Sequence, residues 1–103
     1  MNMQSPHIEE WMENVTYDEL SVGQTARLIR TVTVEDIQAF AAVSGDINPA
    51  HLNAEYADAT MFHGVIAHGM LGAALISALF GTQFPGPGTI YLGQELKFTK
   101  PVR

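Results

Sequence analysis

Asp46 and His51 stand five residues apart in the run Ser44-Gly45-Asp46-Ile47-Asn48-Pro49-Ala50-His51. At that spacing they share no helix face, yet a bend can aim both side chains at one point. Gly45 permits a left-handed exit from a helix, and Pro49 biases Asn48 toward an extended conformation. Histidine is the side chain type that changes charge nearest neutrality, and a carboxylate beside it can orient the ring and set which nitrogen holds the proton. Such a pair can hold a water and move its protons. The same residues fit a second reading, in which Asp46 forms an Asx-turn that caps the next segment and His51 is an ordinary half-buried residue. Asp46, His51, His63 and His68 are also potential metal ligands. His63 and His68, however, lie five apart across a glycine and share no helix face, so no metal site is expected.

The elements that must position this run are legible around it. Residues 24–32 alternate and are rich in Thr, Ile and Val, which predicts a strand. Thr33-Val34-Glu35-Asp36 has the form of a capping box, and Val34, Ile37, Phe40 and Ala41 follow at helical spacing, so a helix is expected from Thr33 to its stop at Gly45. That helix delivers Asp46 just beyond its end. Asn53 can cap a short helix over residues 54–58, followed by a loop around residues 61–64. From Val65 to Phe80 the chain is apolar on nearly every face and frequently small, which predicts a helix wrapped by other structure. Residues 84–88, Phe-Pro-Gly-Pro-Gly, read as a loop. Residues 89–98 then read as a strand with Ile90, Leu92, Leu96 and Phe98 on one face.

The whole chain limits what these elements can build. Its 103 residues, 47% hydrophobic and 16% charged, suit one folded domain with a modest core. There is no cysteine, so catalysis must rest on oxygen and imidazole groups. The net charge of −6 argues against nucleic-acid binding through a general electrostatic footprint. Lys97, Lys100 and Arg103 nevertheless place a local positive charge where a small anion or a solvated strand end would both fit. Residues 1–16 read as an acidic extension in which Trp11 and Val15 dock on the body. The extension lacks the basic and apolar regions of a secretory signal, so a cytoplasmic location is expected. Residues 64–81 are apolar enough to raise the question of a membrane span, but four glycines, His68 and Ser77 within them point to a buried helix of a soluble protein. Two strands cannot cover such a helix, so the chain is expected to be the N-terminal part of a larger domain.

Three motifs in order, Ser44 to His51, then Ile66-Ala67-His68-Gly69-Met70, then Tyr91-Leu92-Gly93-Gln94-Glu95-Leu96-Lys97-Phe98, resemble the MaoC-like, R-specific enoyl-CoA hydratases. The resemblance covers roughly residues 17–103 and implies an α+β hot-dog fold, an antiparallel sheet wrapped around a long central helix, here apparently truncated after the second strand. It implies addition of water to trans-2-enoyl-CoA to give the (R)-3-hydroxyacyl-CoA without a cofactor. Asp46 would accept a proton from the water, His51 would orient that water and help protonate C2, and the Gly69 N–H at a helix start would stabilise the thioester oxyanion. Ser77 matches a family active-site position, Asn48 belongs to the same motif, and Met70 is a candidate wall of the acyl pocket. An acyl-CoA partner and a homodimer or higher oligomer follow from the same resemblance. A 3-hydroxyacyl-carrier-protein dehydratase, or an inactive hot-dog fragment serving as the N-terminal module of a longer fusion, are the competing readings.

Overall fold

A computed structural model describes residues 12–103. Trp11 lies outside the described residues. Among the described residues four α-helices form, α1 (Val34–Ser44), α2 (Pro49–Leu52), α3 (Ala54–Asp58) and α4 (Gly69–Thr82), preceded by a 3-10 turn at Tyr17–Glu19. None of the described helices is long and apolar enough to cross a membrane.

The chain divides into two compact units. One comprises Ile29–Leu75 with Gln94–Arg103, and the other takes in the described residues through Leu28 with Ile76–Gly93. In the first unit, α1 begins as its sequence dictates. The Thr33 hydroxyl accepts the Asp36 N–H at 3.1 Å while the Asp36 carboxylate accepts the Thr33 N–H at 3.0 Å, which satisfies two of the helix's orphan donors. Arg30 adds a 2.8 Å ion pair to the same carboxylate. Foremost the Thr33 N–H, and then the Thr33 hydroxyl and the Arg30 guanidinium, hold the Asp36 carboxyl below its ordinary range against an opposing effect of desolvation. Ile37 and Ala41, one turn apart, form the buried face of α1, and Ala57, Ala67 and Ala73 complete the buried apolar set.

In the second unit, residues 13–15 fasten to the end of α4. The Glu13 N–H donates to Thr82 at 2.9 Å and the Val15 N–H to Pro85 at 2.6 Å, while the Asn14 amide reaches the Pro87 carbonyl at 2.6 Å. Residues 84–88 form the expected loop. Gly86 there has φ 93°, and a β-carbon on it would strike the Glu13 carbonyl. The Phe80 and Tyr91 rings meet at 5.3 Å.

Three expectations are corrected. Among the described residues neither 24–32 nor 89–98 is a strand, so the β part of the α+β expectation is not seen. Alternation sets which faces an extended segment presents, but a ladder needs a second backbone about 4.8 Å away, and none of the described residues supplies one. The long helix begins at Gly69 rather than at Val65. The Ile66 N–H donates instead to Ala50 at 3.3 Å and the Ala67 N–H to Val102 at 2.8 Å, so tertiary partners hold these residues extended. Nor is α4 covered on every face: Ala73 is its one buried residue, and Met70 is 55% exposed.

Candidate active site

The turn after α1 is built from its own side chains. Gly45 takes φ 80° and its N–H caps the helix on Ala41 at 2.9 Å, a conformation that a residue with a β-carbon adopts only at a cost. The Ser44 hydroxyl donates to Phe40 at 2.7 Å and accepts the Asp46 N–H at 3.1 Å. One carboxylate oxygen of Asp46 accepts the Asn48 N–H at 3.2 Å, and the Asn48 side chain accepts the Ala50 N–H at 2.9 Å, with Pro49 opening α2. The Asx-turn is therefore real. It uses one oxygen of Asp46, and the second has no partner among the described residues. Asn48 is a helix cap.

His51 stands half-buried on α2, with Nδ1 2.8 Å from the Ile66 carbonyl. A carbonyl can only accept, so Nδ1 carries the proton and Nε2 presents a lone pair. The extended course of residues 65–68 makes this bond possible, because a helical Ile66 would spend its carbonyl within the helix.

His68 joins the pair. Its Nε2–H donates to the Asp46 carbonyl at 2.8 Å, and its ring stacks on that of His51 with centroids 3.8 Å apart and planes inclined by 24°. The Phe40 ring of α1 meets that of His68 at 4.9 Å, tilted by 59°. One potential ligand atom from each of Asp46, His51 and His68 lies within 4.8 Å of the others. These are the described residues best placed to hold a metal, and His63 is not among them. Stacked imidazoles direct their lone pairs nearly parallel, however, whereas zinc needs donors converging at about 2.0–2.1 Å. The same separation suits a different occupant, since two acceptors up to 4.8 Å apart are spanned by one water with a hydrogen bond to each.

Gly69 opens α4, and its N–H has no partner among the described residues, as an oxyanion donor requires. A β-carbon at Gly69 would lie 2.9 Å from the Phe98 ring, so the glycine is needed here for the approach of Phe98. Met70 follows it, exposed. Ser77 is also exposed but belongs to the other compact unit, so Asp46, His51 and Gly69 share one unit and Ser77 does not. Arg103, one of the three C-terminal cations, donates to the Phe62 carbonyl at 2.6 Å. His68, a potential ligand and a polar residue within the apolar run, immediately precedes α4. Its carbonyl accepts the Leu71 N–H at 3.0 Å, and its side chain also ties the site together. The available signal was a polar residue set inside an otherwise apolar run.

Comparison with known proteins matches the MaoC like domain over residues 19–103. An (R)-specific enoyl-CoA hydratase of Rhodospirillum rubrum is 52% identical over 87 residues, covering 84% of this chain and 60% of that protein. One from Aeromonas caviae is 52% identical over 83 residues, covering 81% of this chain and 62% of the relative. The structure of an unliganded R-hydratase from Pseudomonas aeruginosa superposes with a TM-score of 0.84 at 57% identity, covering 89% of this chain and 59% of the other. The backbone thus follows the course of the hot-dog hydratases, and the chain spans about three fifths of the length of the curated relatives it matches.

Proposed function

The chain belongs to the MaoC-like domain family, and we propose that it carries the acid–base site of an (R)-specific enoyl-CoA hydratase, adding water across the double bond of trans-2-enoyl-CoA. The observation that carries the reading is the gap of at most 4.8 Å between Asp46 and His51, with His51 held as the Nδ1–H tautomer by Ile66. One water fits between the Asp46 carboxylate and His51 Nε2. As its oxygen bonds to C3, Nε2 takes one of its protons and the double-bond electrons move toward the thioester oxygen. The Gly69 N–H meets that developing oxyanion. The proton on Nε2 then passes to C2 and the thioester re-forms, so atoms and charge balance with one water consumed. Asp46 fixes the second hydrogen of the water and offsets the imidazolium charge. The tautomer supports this division, which reverses the roles that the family resemblance implies by giving the proton to His51 and leaving Asp46 to orient the water.

The finer assignments belong to the same reading. Residues 1–16 are an extension and 17–103 the first part of a hot-dog domain, as supported by the match beginning at residue 19 and by the open faces of α4. Met70 borders the acyl chain, and the domain works as a homodimer or higher oligomer in the cytoplasm.

The test is loss of enoyl-thioester absorbance from crotonyl-CoA with the 103-residue chain, with chiral analysis of the product. Formation of the (R)-alcohol, reduced about 100- to 10,000-fold in Asp46→Asn, is the expected result. Equal rates in the two chains, or the (S)-alcohol, would overturn it.

A further inference from the structure

His68 is 3% exposed, and it is the one buried polar side chain among the described residues. Its Nδ1 is buried without a hydrogen-bond partner. Such an atom costs stability that an apolar residue of the same shape would not incur. Starting the helix does not explain the cost, because the bond to the Leu71 N–H uses the His68 main-chain carbonyl, which any residue supplies.

What does require a histidine is the combination of an N–H at one edge and a flat face. The edge reaches the Asp46 carbonyl across 22 positions of sequence, and the face lies 3.8 Å from His51. We propose that His68 is the positioning residue of the acid–base pair, holding Asp46 through its carbonyl and His51 through its ring while touching neither water nor substrate. This rests on the reading of Asp46 and His51 given above.

The two contacts are separable. Asp46 is exposed and its turn is otherwise tied by bonds to residues within two positions, so the bond from His68 is its long-range anchor. That bond also fixes the His68 tautomer: the proton sits on Nε2, and the orphaned Nδ1 is its consequence. His51 is set by the Ile66 carbonyl at one edge of its ring and by His68 across the face, which together leave Nε2 aimed in one direction. The Phe40 ring, tilted by 59° against that of His68 at 4.9 Å, adds a second ring contact that restrains the imidazole.

The experiment reads backbone-amide and imidazole nitrogen-15 signals of the uniformly labelled 103-residue chain without substrate, and then of its His68→Phe and His68→Gln variants. The wild-type chain should show His68 protonated on Nε2 and His51 on Nδ1. His68→Phe keeps a flat ring without the donor, so the Asp46 amide signal should move while His51 stays close to its wild-type position. His68→Gln restores an N–H near Nε2 but no ring, and should return the Asp46 signal while displacing those of His51. In the hydration assay His68→Phe should lower kcat by about 10- to 100-fold with KM little changed, as expected for a misplaced pair. Wild-type His68 protonated on Nδ1 would overturn the proposal even if neither variant folds. So would variants that leave the Asp46 and His51 signals in place, or a folded His68→Phe chain with unchanged kcat. Failure of the wild-type chain to hydrate crotonyl-CoA would count against the functional reading alone, because the nitrogen signals judge the positioning without turnover.

Discussion

Residues 45–51 and residues 89–98 solve the problem of backbone hydrogen bonding in opposite ways. In the first, Gly45, Asp46, Ile47, Asn48, Ala50 and His51 each engage a partner within four positions through a cap, an Asx-turn or a main-chain turn bond. In the second no helix or strand forms, and Ile90, Leu92 and Phe98 are 79, 93 and 61% exposed. The contrast teaches that chemistry placed on a self-supporting turn takes its geometry from its own residues, without a sheet ladder. A pocket wall built from strands does not, because its hydrogen bonds and its cover both come from elsewhere.

Three measurements would break or sharpen that contrast. The largest effect is expected at Gly45, where alanine must adopt φ 80°. Gly45→Ala should cost about 1–2 kcal/mol in urea denaturation and lower hydration further by moving Asp46. An unchanged midpoint would mean that the turn tolerates another exit from α1.

A smaller effect is expected from acid. The folded Asp36 carboxyl is held below its unfolded value, first by the Thr33 N–H. Where the two values differ, the unfolded chain binds more protons, so stability rises with pH. The contribution is present above the ordinary carboxylate range and is lost as pH falls through the depressed folded value. Helical circular dichroism of the wild-type chain should therefore fall more steeply below about pH 4 than that of Asp36→Asn, and parallel curves would dismiss the capping box as a source of stability.

The smallest effect is expected at Leu92. Because the side chain is 93% exposed, Leu92→Lys should change the unfolding free energy by no more than about 0.5 kcal/mol, while lowering the sedimentation coefficient if this face joins two chains. A larger loss of stability would show that the segment packs within its own chain.

How much was legible depends on the range over which each feature is encoded. Thr33 and Asp36, Gly45, Asn53 and the Pro-Gly loop were readable because each forms from atoms a few residues apart, and the turn carrying Asp46 and His51 followed from them. The apolar run alone put the start of α4 at Val65, while the resemblance put it at Gly69, and the difference arises because Ala50 and Val102, distant in sequence, take the N–H groups of Ile66 and Ala67. The resemblance implies an oxyanion donor at Gly69, whereas the close approach to its α-carbon comes from Phe98, 29 positions later. Alternation in residues 24–32 and 89–98 gave faces without naming a partner.

The sequence by itself determined where the chain turns, which helices begin and end with caps, and which carboxylate and imidazole sit on either side of the bend. These are consequences of local sterics and of side chains that reach their own backbone. The tertiary structure alone decided that Ile66 sets the His51 tautomer and that His68 lies against both members of the pair. Those contacts join positions 15 and 22 apart, and what brings such positions together is the packing of His68 against the rings of His51 and Phe40, which no local pattern encodes.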